Sequence, residues 1–289
     1  MARPHFEYVS PGTLSEAIGL LQKYGDDAKV MAGGTDLLLG LKRGVIKAKV
    51  IVGLKNIEGL NQITFHREKG LTIGATALLS DVAKHRDIRK HYPSVASAAQ
   101  GTANVQVRNM GTVIGNLCNA SPSADNAPML LALDGSLSIA GSDGNRRLSL
   151  NDFFKGPGIT ALKKSEIVTS VDVPIPEDHT GTCYLSLSAR GKVDCTAVGV
   201  GVKLTLKGNR CTDVKIVIGA CAPVPMRVIR AEKILQGKRL SETQIEKAAK
   251  ITLEEIQPIT DLRASASYRS TVVEVLVKRA LLEAWKNVK

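Results

Sequence analysis

The sequence predicts an α+β fold, and three observations carry that expectation. Residues 1–55 alternate helix, strand, glycine turn, helix and strand. Residues 56–176 open on a hairpin and close on further strands. Residues 177–289 place three β-rich segments ahead of three helices, the order of a sheet covered by its own helical layer. A chain of 289 residues has room for one large domain or two to three small ones, each with a real core.

The first helix is marked by Thr13 and Glu16, a T-x-x-E capping box. Ala17, Ile18, Leu21 and Tyr24 follow at helical spacing, and Gly25 stands at the C-cap. The strand "AKVMA" runs into Gly33-Gly34, after which Thr35 or Asp36 is placed to cap a short helix ending at Gly44. The strand "KVIVGL" completes the first unit. "NQITFHREKGLTIGA" reads as a hairpin turning around Glu68 to Gly70. Ser80 is a candidate cap for the next helix, and Tyr92-Pro93-Ser94 starts another. The stretch "GTANVQVRNMGTVIGNLCNASPSADNAP" reads as a long irregular loop, and its low charge predicts an ordered loop packed on the body. The helix "APMLLALD" and strands near 136–150 and 166–173 finish this unit. In the last part, Ser241 and Gln244 form a second capping box. The final helix carries Val272, Val273, Leu276, Val277, Ala280, Leu281 and Ala284 on one face.

Composition narrows the function. With 44% hydrophobic and 23% charged residues the chain is an ordinary globular protein. Its apolar runs are too short to span a bilayer, and "MARPHFEYVSPG" lacks the apolar core of a secretory signal, so a cytoplasmic location is expected. The five cysteines (Cys118, Cys183, Cys195, Cys211 and Cys221) form no C-x-x-C pair and read as small buried thiols. The five histidines show no metal spacing, and no Ser/His/Asp set stands out, so no catalytic or metal-ligating residue is assigned. A net charge of +12 raises the question of nucleic acid, but the basic residues are scattered and aromatics are 3% of the chain. A basic surface facing an acidic partner subunit fits as well.

Two glycine loops carry the chemical signal. In Ala32-Gly33-Gly34-Thr35-Asp36-Leu37, glycine lets backbone N–H groups approach an anion, and the helix N-terminus behind adds positive potential. That suits a pyrophosphate; a plain strand–helix turn fits the same residues equally. Asn109-Met110-Gly111-Thr112-Val113-Ile114-Gly115-Asn116 is the second loop, followed by Asp125 just ahead of a helix. Asp125 reads either as an N-cap or as an acceptor for sugar or ribityl hydroxyls. No G-x-G-x-x-G, P-loop or G-x-S-x-G pattern is present, so the chain looks like the holder of a cofactor that brings its own chemistry.

At these loops the sequence resembles the FAD-binding medium subunits of the molybdenum hydroxylases, the xanthine dehydrogenase and carbon monoxide dehydrogenase family. "VMAGGTDLLLGLKRG", "VRNMGTVIGNLCNASPSADNAPMLLAL", "SARGKVDCTAVGVGVKL", "GACAPVPMRVIRAEKILQGK" and "SASYRSTVVEVLVKRALLEA" are similar to five family signatures in the same order. The resemblance implies a vanillyl-alcohol-oxidase (PCMH)-type FAD-binding fold of two subdomains, 1–55 and 56–176, plus a C-terminal flavoprotein domain, 177–289. It implies that Val30, Met31, Ala32, Gly33, Gly34, Thr35, Asp36 and Leu37 wrap the FAD pyrophosphate. Thr112, Val113, Ile114, Gly115 and Asn116 would be its second contact, and Asp125 would bind the sugar or ribityl chain. Thr102 and Val168 fall at flavin-contacting positions, and Arg190 and Asp194 match a family pair near the isoalloxazine. Two departures stand out. Ile114 replaces a family glycine, so the position is either extended here or the loop is locally altered. Ser186 stands where relatives often carry lysine. The four-cysteine insertion of one subtype, the beta subunit of 4-hydroxybenzoyl-CoA reductase, is absent from the sequence.

The implied function is electron transfer within a complex. A large molybdenum-cofactor subunit would oxidise substrate, and a small subunit's [2Fe-2S] clusters would relay electrons. FAD in this chain would deliver them to NAD or another acceptor. The rival expectations are a free-standing FAD oxidase, which needs a substrate pocket with positioned bases, and a basic nucleic-acid-binding or scaffold protein.

Overall fold

The structure is a computed structural model and describes residues 5–188 and 195–288. The first unit is a parallel three-stranded sheet in the order β1-β3-β2, from β1 (Glu7–Val9), β2 (Ala28–Met31) and β3 (Val50–Gly53). Parallel neighbours need crossovers, which α1 (Leu14–Tyr24) and α2 (Leu37–Lys42) supply. Thr13 caps α1 by accepting the Glu16 N–H at 3.2 Å. The Glu16 carboxylate reaches one residue further back than a capping box requires, accepting from Gly12 N at 2.9 Å. Gly25 ends the helix at φ 51°.

The middle unit is an antiparallel sheet in the order β4-β5-β10-β6-β7. Its strands are β4 (Ile63–His66), β5 (Gly70–Gly74), β6 (Ser136–Gly141), β7 (Gly144–Ser149) and β10 (Ile167–Val173). A small pair, β8 (Phe154–Gly156) and β9 (Ile159–Thr160), precedes β10. Between β5 and β6 lie α3 (Leu79–Lys84), α4 (Arg86–His91), α5 (Pro93–Gly101), α6 (Val105–Arg108), α7 (Val113–Cys118) and α8 (Ala127–Ala132). A single turn, α9 (Leu150–Phe153), follows β7.

Two local expectations fail here. Ser80 does not cap a helix: it is buried inside α3, whose start is held instead by Leu79 N donating to Gly111 O at 2.9 Å. The long loop is not irregular throughout, because α6 and α7 form within it. Each is capped by a side chain, Asn104 taking the Val107 N–H and Thr112 taking the Gly115 N–H, both at 2.9 Å. These helices are of four and six residues, too short for periodicity to reveal.

The last unit is the antiparallel sheet β11-β12-β13-β14, from β11 (Thr180–Ser188), β12 (Thr196–Lys207), β13 (Arg210–Gly219) and β14 (Met226–Arg227). It is covered by α10 (Ile229–Leu235), α11 (Glu242–Ile251) and α12 (Ala266–Lys286). All seven apolar positions expected on one face of α12 are buried. One apolar cluster joins the first two sheets and takes in Tyr184 and Val217 from the third; a second cluster lies between the third sheet and its helices. The two bodies meet where α8 packs on β12 and β13. A β-carbon at Gly201 would lie 2.7 Å from the Pro128 carbonyl carbon, so the close approach of α8 requires glycine there. Cys183, Cys211 and Cys221 are buried thiols as expected, and burial pushes each of them up, to about 11 for Cys183 and about 12 for the other two. Cys195, at the mouth of β12, is exposed and departs from that reading.

Candidate functional site

The two glycine loops meet. β2 ends at Met31, with Val30 paired to Val52 of β3, and the chain turns through Ala32 and Gly33 into α2. A β-carbon at Gly33 would lie 2.7 Å from the Gly111 Cα and nearer still to the Met110 carbonyl oxygen. The first loop therefore sits directly on the second, backbone to backbone. Gly34 follows at φ 72°, a left-handed conformation that side chains resist. Among the described residues, the N–H groups of Gly33, Gly34, Thr35 and Asp36 donate to no carbonyl and no side chain. Neither Thr35 nor Asp36 caps α2 with its side chain, contrary to expectation. The helix starts instead with Leu38 N donating to Gly34 O at 3.0 Å. Four successive free donors at a helix start attract an anion. Although Asp36 faces solvent, neighbouring chain partly desolvates its carboxyl and raises its pKa. Leu37 is half-buried in the first turn.

The second loop is built differently. Gly111 is pinned by its N–H to Val107 O at 2.6 Å, and Leu78 forms a single antiparallel bridge to Thr112. Thr112 is 3% exposed and caps α7 through its hydroxyl. Ile114 settles the question raised by its departure from the family pattern. It is neither extended nor at positive φ, but the second residue of α7, with a buried side chain in the core. A right-handed helical position accepts a β-branched residue without strain, so no glycine is needed there. Val113 is also buried in α7, which packs against β10. Val168, on β10 opposite Ile139, is buried at 3% exposure beside a bulge before Ser170.

A polar cluster lies under this loop. Asn116 Oδ1 accepts from Asn126 N at 3.3 Å and from Asn126 Nδ2 at 3.1 Å. Asn126 Nδ2 also donates to Thr102 Oγ1 at 3.2 Å. Asn126 Oδ1 is buried and has no partner. Asp125 does not cap α8; that position is held by Asn126 without a side-chain bond. Asp125 instead faces the third sheet, accepting from Tyr184 Oη at 3.1 Å and Thr196 Oγ1 at 2.5 Å. Burial raises its carboxyl, partly offset by these two hydrogen bonds. Tyr184 lies far above the ordinary phenol value because it is buried and faces Asp125. Ser186, on β11, is exposed. Arg190 and Asp194 lie outside the described residues.

Sequence reasoning missed Tyr184, Thr196, Asn126 and Arg269. Arg269 is 2% exposed, and its Nη1 donates to Ala197 O and Ala220 O at 2.7 and 2.8 Å while Nη2 binds Asp261 at 2.7 Å. It anchors the start of β12, next to Thr196. The signal available was a polar residue in an otherwise apolar stretch, as Thr196 before "AVGVGV" and Arg269 in α12. A tight glycine junction, a row of free N–H donors and an orphaned buried oxygen together fit a diphosphate carrying hydroxyl groups.

Residues 4–176 match the family described as the FAD binding domain in molybdopterin dehydrogenase. The chain belongs to this family. Residues 184–284 match the CO dehydrogenase flavoprotein C-terminal domain. The medium subunit is 32% identical over 283 residues to the glyceraldehyde dehydrogenase medium chain of Sulfolobus acidocaldarius, covering 98% of this chain and 99% of that one. It is 31% identical over 287 residues to the carbon monoxide dehydrogenase medium chain of Hydrogenophaga pseudoflava, covering 99% of each. The solved carbon monoxide dehydrogenase from Hydrogenophaga pseudoflava superposes with a TM-score of 0.96 at 30% identity, covering 100% of both chains. The fold is the FAD-binding arrangement that the five ordered motifs implied, and the chain is an FAD-binding oxidoreductase subunit. Among the described residues, no three His, Cys, Asp or Glu side chains gather to hold a metal, and no helix is long and apolar enough to cross a membrane.

Proposed function

We infer that this medium subunit carries electrons inside a complex, between the [2Fe-2S] clusters of a small partner subunit and an external acceptor such as NAD. A large partner subunit would hold the molybdenum cofactor and choose the substrate. End-to-end similarity to medium chains supports this reading. The observation that carries the cofactor assignment is the row of unpaired N–H donors from Gly33 to Asp36, packed against Met110 and Gly111. When bound, FAD supplies one- and two-electron redox chemistry, which lets single-electron clusters serve a two-electron acceptor.

The chain's residues bind and orient. Val30 to Leu37 would hold one side of the pyrophosphate through backbone N–H groups, with the α2 N-terminus favouring its charge. Thr112 to Asn116 would hold the other side. Asp125 would accept from a cofactor hydroxyl with the oxygen that Tyr184 and Thr196 leave open. Val168 would contact the flavin. On this reading residues 1–55 and 56–176 form two flavin-holding subdomains, and 177–289 forms the C-terminal flavoprotein domain. On this reading no side chain need act as acid or base.

The purified chain is expected to be yellow, with flavin absorption bands and FAD released on denaturation. A colourless protein that takes up no added FAD would sink the cofactor assignment. Isolation of the native complex, with molybdenum and iron analysis, tests the partners: a flavin-bearing chain purified alone with full turnover would defeat the electron-transfer role.

A further inference from the structure

The amide of Asn126 has its orientation dictated by its neighbours. Asn126 is 1% exposed, and its backbone N–H lies 3.3 Å from a side-chain atom of Asn116. A backbone N–H can only donate, so that atom must be the amide oxygen of Asn116. The Asn126 side-chain atom 3.1 Å from the same oxygen must then be nitrogen, Nδ2. Nδ2 donates its other hydrogen to Thr102 Oγ1 at 3.2 Å. Thr102 in turn donates its hydroxyl hydrogen to Ala98 O at 2.9 Å. The bonds therefore run one way, fixed at one end by a backbone N–H and at the other by a backbone carbonyl.

Two consequences follow for the ligand side. The Asn116 amide nitrogen is turned away from Asn126 and donates to no described residue, on a side chain that is half-exposed. The remaining oxygen of Asn126 is buried without a partner. Buried polar groups in a purely structural network are normally satisfied. An acceptor left over beside an outward-facing donor points to a group the chain itself does not carry. Thr102 is meanwhile fully engaged within the chain. Its N–H donates to Ala99 O at 3.3 Å, its carbonyl accepts from Arg108 Nη1 at 3.0 Å, and its hydroxyl is used on both sides.

We propose that Thr102 and Asn126 are positioning residues: they lock the Asn116 amide so that its N–H donors are left for the bound FAD. This rests on the flavin-binding reading above. It also replaces the direct flavin contact that the family resemblance implied for Thr102 with an action through Asn126 and Asn116.

The test is a double-mutant cycle on the full chain. The flavin-free chain is titrated with FAD, and binding is followed by flavin fluorescence. Thr102→Val is expected to weaken binding about fivefold to tenfold, while Thr102→Ser, which keeps the hydroxyl, binds as wild type. In an Asn116→Ala background the same Thr102→Val change is expected to cost less than about twofold, because the residue it acts through is gone. Equal factors in both backgrounds would overturn the relay. Thermal melting of the flavin-free chain supplies an independent arm: Thr102→Val and Asn126→Leu should together destabilise less than the sum of each alone. Strictly additive losses overturn the relay whether or not flavin binds. A wild-type chain that takes up no FAD overturns the flavin-binding reading and the relay's cofactor role with it.

Discussion

The two glycine loops reach the same place by opposite means. The first, Gly33 to Asp36, works by having little side chain: Gly33 admits the second loop's backbone, Gly34 takes a left-handed turn, and the N–H groups stay free. The second, Gly111 to Asn116, works by side-chain hydrogen bonds: Thr112 caps its helix and Asn126 orients Asn116. The difference teaches that one loop is vulnerable to added volume and the other to lost polarity.

The largest effect is expected from Gly33→Ala. Its β-carbon would overlap the Met110 carbonyl and force the loops apart, at about 2–3 kcal/mol by the usual scale of overpacking. Urea unfolding should show that loss, and FAD content should fall with it; an unchanged midpoint and full FAD content would mean that the loops do not touch as described. Next comes Gly34→Ala, which places a side chain at φ 72° and 2.8 Å from Met31 Sδ, for about 1–2 kcal/mol. Thr112→Val keeps the shape of the second loop and removes only the cap, so roughly 1 kcal/mol is expected in thermal or urea unfolding. A steric loop thus fails more sharply than a hydrogen-bonded one. If Thr112→Val proved worse than Gly33→Ala, the contrast would be reversed.

The smallest effect concerns Asp125, and its sign differs from the others. The folded carboxyl lies above the ordinary value of 3.8, chiefly because it is buried. A raised pKa means that the folded chain binds the extra proton between 3.8 and the raised value, so this group's contribution falls as pH rises through that window. Asp125→Asn keeps an oxygen for Tyr184 and Thr196 and removes the charge. The variant should therefore melt above wild type at neutral pH, with the gain vanishing below about pH 4, near the unfolded carboxyl's pKa. A difference that stays constant from pH 3 to 8, measured on the flavin-free chain, would show that charge burial is not the cause.

Much of this architecture was legible because its determinants are local. Thr13, Ser241 and the final helix's apolar stripe are read within a few residues of where they act. Ser80 misled because its hydroxyl is a generic cap donor or acceptor, whereas the start of α3 is set by Gly111 from the second loop. At Ile114 the helical position excludes the extended alternative, and a helix of six residues is too short to announce itself in the sequence. For Asp125, position ahead of a helix suggested a cap, but the partners that hold it lie 59 and 71 residues away.

By itself the sequence determined the order of units, the helices capped by Thr13 and Ser241, the glycine turns and membership in a flavoprotein family. These depend on local backbone preference and on motifs read along the chain. Only the tertiary structure decided that Gly33 meets Met110 and Gly111, that Asn126 bridges Thr102 and Asn116, and that Arg269 anchors the strand carrying Thr196. Those contacts join groups distant in sequence, and a hydrogen bond acts over about 3 Å of space whatever the length of chain between its ends.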